Sequence, residues 1–230
     1  MPRFFCPQPV APEATFALDV DVAQHVRVLR LREGDGIVLF DGAGGETPAT
    51  IVSIGKREVT VATGQHLDVE REAARQVTVY AGLIANDRMD WMIQKATELG
   101  VAAIQPIYTD RSQRIPGDIA KRVDHWRAVA IAACEQCGRN RIPNVHAPQR
   151  LVEALAGTQG ATNALLDADG EHGCSPGTDA MNVFIGPEGG FAPHERDALL
   201  AHCGHKLRIG ATVLRAETAA VAAMALLGSP

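Results

Sequence analysis

Two glycine-containing loops hold the residue types best suited to binding a ligand. The first, I-G-P-E-G-G-F at residues 185–191, follows an apolar strand and precedes a helix; its glycines let a ligand approach the backbone, while Pro187 stiffens the turn. The second, R-I-G-A-T-V-L-R-A-E-T at residues 208–218, also leaves a strand and enters a helix. Open parallel sheets bind ligands beyond the carboxyl ends of their strands, so the two loops together predict a binding site. Taken alone, either loop is equally compatible with an ordinary strand–helix connection.

The two loops do not carry the usual phosphate-binding signatures. Neither matches G-x-G-x-x-G or G-x-x-x-x-G-K-[ST], so a dinucleotide site or a P-loop is not indicated. The histidines from His125 onward show no paired spacing typical of a metal site. C-E-Q-C at residues 134–137 resembles half of a metal site or a redox pair, but the absence of a second pair and its helical surroundings favour a structural role. We therefore expect no metal.

The elements that must position these loops begin at Gln76. V-T-V-Y-A-G-L-I is a continuous apolar strand, residues 87–99 have helical spacing of apolar positions, and V-A-A-I-Q-P-I-Y is the next strand, which makes a βαβ unit. Further along, the pattern predicts helices at residues 119–137, at 193–202 and from about Ala216, and strands at 163–166, 182–185 and 205–209. This alternation predicts an α/β domain with a mostly parallel sheet covered on both faces.

The first seventy residues follow a different rhythm. Period-two alternation broken by Gly and Asp predicts short strands at residues 36–40, 48–54 and 58–63, and hence a small β-barrel or meander. Residues 25–35 before them predict a short helix or turn that ends at Gly34. The charged residues 68–75 have no apolar face and are interpreted as a linker. We therefore predict two domains, residues 1–72 and 73–230.

Charge and cysteine content limit the functional class. The net charge of the 230 residues is −5, which argues against a strongly cationic nucleic-acid binder. Residues 111–150, however, hold eight Lys or Arg against three acidic residues, which suits an anionic partner or, alternatively, a solvated surface. The five cysteines, including Cys174, are scattered, and no signal peptide precedes them, so a reduced, cytoplasmic protein is expected. No apolar run approaches the roughly 18 residues needed to span a bilayer, so no membrane function is expected.

The two loops and three further motifs together resemble the RsmE family of ribosomal RNA small subunit methyltransferases, which act at N3 of uridine 1498. The further motifs are Q-K-A-T-E-L-G-V-x-x-I-x-P at residues 94–106, A-I-A-A-C-E-Q-C-G-R-N-R-I-P at 130–143, and H-x-x-V-L-R-L-R-x-G-D at 25–35. The resemblance covers essentially the whole chain. It implies a PUA-like β-barrel, then a SPOUT-class methyltransferase domain with a deep C-terminal trefoil knot, S-adenosylmethionine as cofactor, a homodimer, and 16S rRNA of the small ribosomal subunit as partner.

The resemblance also implies which residues form the site. The expected cofactor-binding residues are Leu166, Ile185, Gly186, Pro187, Glu188, Gly189, Gly190, Ile209, Gly210, Val213, Leu214, Arg215 and Thr218. Because N3–H of uracil is a weak acid, methylation requires removal of the proton or stabilisation of the developing anion. Arg215 suits the second role, and Glu217 or Glu188 the first. Alternatively, Glu188 is a carboxylate at a helix start, and Glu217 is a partner of Arg215 or of the backbone.

RNA contacts are expected from exposed arginines. Arg139, Asn140 and Arg141 follow a helix in a turn closed by Pro143, a position that we expect to present guanidinium groups to phosphate. The full set of candidates is Arg3, Arg27, Arg30, Arg32, Arg111, Arg114, Arg139, Asn140 and Arg141. A non-catalytic RNA-binding protein on the same scaffold is the main alternative, and a small-molecule enzyme that binds a nucleotide is another. The intact glycine loops argue against the first, and the missing phosphate-loop signature argues against the second.

Overall fold

The chain forms two compact units in a computed structural model that describes residues 1–56, 58–114, 117–158, 161–172 and 179–228. The first unit comprises Met1–Glu72 together with Cys134–Ile142, and the second comprises Ala73–Ala133 together with Pro143–Pro230. The sequence predicted that everything after residue 72 belongs to the second domain, whereas residues 134–142 belong to the first unit. Cys174 lies outside the described residues.

The first unit is built on a five-stranded sheet. Its strands are β1 (Arg3–Phe5), β2 (Thr15–Ala17), β3 (Gly36–Phe40), β4 (Thr47–Ile54) and β5 (Val59–Thr63), and its helix is α1 (Val20–Val28). The strand order is β1-β3-β4-β5-β2, in which β1 pairs with β3 in parallel and the remaining pairs are antiparallel. Alternate residues of β5 are buried, as the period-two pattern predicts. The short helix or turn predicted at residues 25–35 is confirmed in part, because α1 ends at Val28 and turns follow it as far as Gly34.

The second unit is built on a seven-stranded sheet in which every recorded strand pair is parallel. Its strands are β6 (Val77–Gly82), β7 (Ala103–Tyr108), β8 (Asn144–Val145), β9 (Gln149–Arg150), β10 (Thr162–His172), β11 (Met181–Ile185) and β12 (His205–Arg208). The order is β12-β10-β11-β6-β7-β8, and β9 also pairs with β7. The helices are α2 (Asn86–Glu98), α3 (Ile119–Cys137), α4 (Leu151–Ala156), α5 (Pro193–His202) and α6 (Ala216–Leu227). The predicted parallel α/β sheet is thus confirmed.

Helices cover both faces of this sheet. Strand β6 shows the division, because Val77 and Val79 belong to a core that includes residues of α2, α3 and α6, whereas Tyr80 belongs to a core with residues of α4 and α5. The buried apolar residues of α2 lie at the spacing of one helical face, namely Met89, Met92, Ile93 and Ala96. No helix in the described part of the chain is long and apolar enough to cross a membrane.

The predicted linker at residues 68–75 contains the boundary between the two units, which falls between Glu72 and Ala73, although its charged side chains are engaged in contacts. Arg71 forms an ion pair with Glu46 at 2.8 Å within the first unit, and Glu72 forms another with Arg139 in the same unit. Arg75, which belongs to the second unit, is only 5% exposed. A charged segment without an apolar face is therefore held by ion pairs instead of being solvated.

Candidate active site

A cleft of about 550 Å³ lies where the strands β11 and β12 end. Ile185 and Arg208, the last residues of these strands, both line it, and so do residues of β10 and of the first turn of α6. Its location agrees with the general rule that open parallel sheets bind ligands beyond the carboxyl ends of their strands. The two glycine-containing loops of the sequence meet at this cleft.

The conformation of the first loop requires glycine at particular positions. Gly190 has a φ of 67°, in the left-handed region, and its N–H donates to the Pro187 carbonyl at 2.8 Å to close a turn. Pro187 packs against the end of β6, where a Cβ on Gly82 would lie 2.5 Å from Pro187 Cδ. The loop therefore has a defined shape, fixed by its own turn and by the strand beside it.

Most of the expected cofactor-binding residues line the cleft. They are Leu166, Ile185, Gly186, Pro187, Glu188, Gly190, Ile209, Val213, Leu214 and Arg215. Gly189, Gly210 and Thr218 are not among the lining residues. Gly189 instead presents its carbonyl oxygen to Arg111, and Thr218 is exposed on α6.

The two predicted loops contribute four further residues to the cleft, namely Phe191, Arg208, Thr212 and Ala216. The cleft also contains residues outside these loops, which the sequence did not indicate: Asp167, Ala168, Arg196 and Ala219. Asp167 and Arg196 form an ion pair at 2.9 Å. Burial opposes ionisation of Asp167, but the Asp169 N–H and the Arg196 guanidinium outweigh it and lower the pKa of the Asp167 carboxyl. The sequence feature that could have indicated Arg196 as a cleft residue is its position in the first turn of α5, directly after the glycine loop.

The three proposed catalytic residues lie in different surroundings. Arg215 is the N-cap residue of α6, lines the cleft, and its guanidinium has no ion-pair or hydrogen-bond partner within the described ranges. Glu188 also lines the cleft, and Arg88 of α2 donates to its Oε1 at 3.0 Å. Its predicted place at a helix start is wrong, because α5 begins only at Pro193. Glu217 is 8% exposed, does not line the cleft, and its buried Oε2 accepts no hydrogen bond from the described part of the chain.

One group of potential metal ligands is present elsewhere in the second unit. Single ligand atoms of Asp110, His194 and Glu195 lie within 4.8 Å of one another. Both oxygens of Glu195 already accept backbone hydrogen bonds, from the N–H of Asp110 and the N–H of Ala192, each at 2.8 Å. Glu195 thereby caps the N-terminus of α5 and ties the loop after β7 to it, which gives the carboxylate a structural role.

The expected exposure of Arg139 and Asn140 is wrong, since both are buried in the first unit. Arg139 is 4% exposed and its guanidinium forks onto the two oxygens of Glu72, with Nε donating to Oε1 at 3.2 Å. Asn140 is fully buried, donates to the Val69 carbonyl and accepts from Arg3. Arg3 also pairs with Glu46, with its side chain 11% exposed. These side chains hold residues 134–142 in the unit and are not available to phosphate.

The remaining basic candidates are accessible to different degrees. Arg141 is 54% exposed in its side chain and pairs with Glu70, while Arg27 donates to the carbonyl of Gly55. Arg30 and Arg114 are exposed, and no partner of either guanidinium is found in the described residues. Arg32 is also exposed, and its side chain likewise has no recorded partner there.

The C-E-Q-C pair lies in the last turn of α3. Burial raises the pKa of the Cys134 thiol to about 12, and its Sγ donates to the Arg141 carbonyl. A thiol that is buried and this weakly acidic is a poor metal ligand and a poor nucleophile. The two cysteines are unpaired, as are Cys6 and Cys203.

Known proteins similar to this chain match both units. A family model described as an RNA methyltransferase domain matches residues 71–228, and one described as an RNA methyltransferase PUA domain matches residues 18–63. The chain is 28% identical to ribosomal RNA small subunit methyltransferase E of Bacillus subtilis over 99% of this chain and 96% of that protein. It is 30% identical to the Synechocystis protein of the same name, over 96% of this chain and 76% of the other. The Neisseria gonorrhoeae protein of that name, crystallised with S-adenosyl methionine, superposes with a TM-score of 0.91 at 32% identity, over 98% of this chain and 96% of its own.

Proposed function

Because the chain belongs to the ribosomal RNA small subunit methyltransferase E family, we propose that it methylates N3 of a uridine in 16S ribosomal RNA, the position numbered 1498, with S-adenosylmethionine as methyl donor. The observation that carries this proposal is the cleft formed by the two glycine-containing loops at the ends of β11 and β12. The similar Neisseria protein, crystallised with that cofactor, supports it.

The cleft fits the cofactor in size and in chemistry. Its volume of about 550 Å³ is in the range of small-molecule sites. The aliphatic side chains of Leu166, Ile209 and Leu214 can enclose the flat adenine, and the backbone groups of the loop at residues 185–191 can read its edges. When bound, S-adenosylmethionine supplies a methyl group on a sulfonium, which needs correct placement against a nucleophile and no metal. These residues would hold it.

Within the cleft, Arg215 is suited to stabilise the anion that develops on uracil. Its guanidinium has no other partner in the described ranges, so Arg215 can contact the base without breaking an existing ion pair. The carboxylates nearby are less suited to accept the N3 proton: Glu188 is held by Arg88, the pKa of Asp167 is lowered, and Glu217 does not line the cleft. We therefore assign the catalytic role to Arg215, with the proton leaving to solvent, and place Glu188 and Glu217 outside the proton transfer.

The partner is 16S rRNA within the small ribosomal subunit. The best candidates for phosphate contacts are Arg30, Arg32 and Arg114, because their guanidinium groups are exposed and unengaged among the described residues. A homodimer is supported by exposed apolar side chains near α6, where Val213 is 83% and Leu226 50% exposed. The unpaired cysteines support a cytoplasmic location. The trefoil knot implied by the resemblance stays a prediction.

Calorimetry and methyl transfer test this function. S-adenosylmethionine is titrated into the purified protein, and methylation of small subunits carrying unmodified 16S rRNA is followed by mass spectrometry of the nucleosides. We expect cofactor binding and 3-methyluridine at one position. RNA binding without cofactor binding would instead favour a non-catalytic RNA-binding protein on this scaffold.

The role of Arg215 is tested at saturating RNA and cofactor. Arg215→Ala should lower turnover by about 10²–10³-fold, because a group that stabilises developing charge acts mainly in the transition state. Arg127→Ala is the matched control, since Arg127 is an exposed arginine on α3 outside the cleft. If Arg215→Ala only weakens cofactor binding and saturated turnover is intact, Arg215 is a cofactor anchor.

A further inference from the structure

Two arginines from outside the cleft hold the tip of the glycine loop. Arg88 Nη1 donates to Glu188 Oε1 at 3.0 Å, and Arg111 Nη1 donates to the Gly189 carbonyl oxygen at 3.0 Å. Arg88 belongs to α2 and Arg111 to the loop that follows β7, so the two contacts come from separate elements of the second unit. Adjacent residues of the tip are therefore tied to two different supports.

The position of Arg88 in its own helix indicates that it is placed for this contact. It lies in the first turn of α2, where the positive end of the helix dipole disfavours a cation. Its guanidinium is balanced by Glu188, and no other ion-pair partner is recorded for it in the described residues. The contact with the loop thus compensates for a position at which the positive charge of Arg88 is unfavourable to the helix.

The turn that carries Arg111 is itself held by hydrogen bonds. The preceding Asp110 N–H donates to Glu195 at 2.8 Å, and Thr109 and Ser112 hydrogen-bond each other across the turn. The stem of Arg111 also lies against the loop, because a Cβ on Gly189 would be 3.2 Å from Arg111 Cβ. Arg111 therefore contacts Gly189 both by packing and by a hydrogen bond.

We propose that Arg88 and Arg111 are positioning residues that preorganise the cofactor loop, and that Glu188 is the counter-ion of Arg88 and not a proton acceptor. The inference rests on the proposed function for the identity of the ligand. A loop already held in its binding conformation loses less conformational freedom when the ligand binds, so the two contacts raise affinity without touching the reacting atoms. The proposal also assigns Arg111, which was a candidate phosphate contact, to the positioning of the loop.

The first experiment measures cofactor affinity and turnover of Arg88 and Glu188 variants. Arg88→Ala and Glu188→Ala should each weaken S-adenosylmethionine binding about twofold to fivefold, the upper part of the range for a partly exposed ion pair. The double variant should lose no more than either single one, and exchanging the residues (Arg88→Glu with Glu188→Arg) should recover part of the loss. Glu188→Gln should lower cofactor affinity more than it lowers turnover at saturating substrates; a fall in that turnover of about 10²-fold or more would make Glu188 a general base and overturn the inference.

Lys95→Ala is a closely matched control. Lys95 lies on the same helix and pairs with Glu98 at 2.8 Å, with side-chain exposures of 33% and 25% against 37% and 27% for Arg88 and Glu188. This pair does not contact the loop. Cofactor affinity should therefore stay at the wild-type value in Lys95→Ala, and an equal loss there would show that the effect is a general one of helix α2.

A second readout does not depend on the ligand. Hydrogen exchange of the peptide that covers residues 184–192, measured on the free protein, should be faster in Arg88→Ala and in Arg111→Met than in wild type or Lys95→Ala. Unchanged exchange in both variants would refute the positioning role even if the protein proved to bind a different ligand. If the wild type fails to bind S-adenosylmethionine while the exchange difference is seen, the proposed function fails and the loop contacts stand.

RNA binding separates the two roles of Arg111. Under the positioning role, Arg111→Met should leave the slope of log RNA affinity against log salt unchanged. A slope lower by about one with unaltered cofactor affinity would make Arg111 a phosphate contact and would overturn its assignment.

Discussion

Replacement of Arg139 is expected to lower the stability of the first unit and not to remove a contact with RNA. The side chain is 4% exposed and forks onto Glu72, which is 17% exposed. Arg139→Ala leaves the Glu72 carboxylate largely buried without its cation, and breaking a buried pair costs about 3–5 kcal/mol. Because Glu72 retains some contact with water, we expect the lower end, a loss of about 3 kcal/mol in the free energy of unfolding of this unit.

The assay must report on the first unit specifically. Both tryptophans of the chain, Trp91 and Trp126, lie in the second unit, so intrinsic fluorescence would follow the wrong part of the molecule. Native-state hydrogen exchange of peptides covering β3, β4 and β5 reports on the correct unit. A loss of about 3 kcal/mol should accelerate exchange of their most protected amides by about 100-fold.

Arg141→Ala is the matched control, two residues away in the same segment. Arg141 pairs with Glu70 at 3.1 Å, but its side chain is 54% exposed, and exposed pairs contribute about 0.2–1 kcal/mol. Exchange in this variant should therefore change by less than about fivefold. Wild-type exchange in Arg139→Ala, together with a salt slope of RNA affinity lower by about one, would refute the structural role and make Arg139 a phosphate contact.

Two further perturbations address the cleft and the pH dependence of the first unit. Gly190→Val should weaken cofactor binding by about tenfold or more in calorimetry, since a β-branched residue is strained at a φ of 67°. The control is Gly204→Val, at an exposed glycine with no neighbour within 4 Å, which should bind the cofactor as the wild type does. Equal affinities of the two variants would show that cofactor binding does not depend on the conformation of this loop. The Arg71 hydrogen bond, outweighing burial and aided by Arg3, lowers the pKa of Glu46 to about 2, so its contribution to stability is complete above pH ~4.5 and is lost as the pH falls toward 2. Urea denaturation followed by circular dichroism should show a smaller loss between pH 7 and pH 3 for Glu46→Gln than for wild type, and identical losses would contradict the assignment.

Much of the second unit could be predicted from the sequence because its signals are local. The bounds of α3 (Ile119–Cys137) and α5 (Pro193–His202) match the expected ranges, and α5 has a proline in its first turn, where the missing N–H is tolerated. Most of the cleft could also be predicted from the glycine loops that directly follow apolar strands. Parallel strands all end at the same edge of the sheet, so the loops that follow them meet there.

The errors have a common physical origin in contacts between distant parts of the sequence. Arg139 and Glu72 are separated by 67 positions, and nothing in either segment shows that one will neutralise the other. Asp167 was missed because β10 was expected to end at Leu166, whereas it continues to His172 and pairs again with β12 beyond a register shift. Strands of two residues such as β8, and the six-residue α4, are too short to show periodicity.

The discontinuous first unit has a consequence for how the chain is made. Its sheet is complete in sequence at residue 63, yet Arg139 and Asn140, which are buried in it, come from Cys134–Ile142. The ribosome must therefore translate roughly 80 further residues, about 4–16 seconds of synthesis, before all of the unit has been made. During that interval Glu72 and Arg3 lack their partners from the later segment, so the first unit can be completed only after residues 73–133 of the second unit have been synthesised.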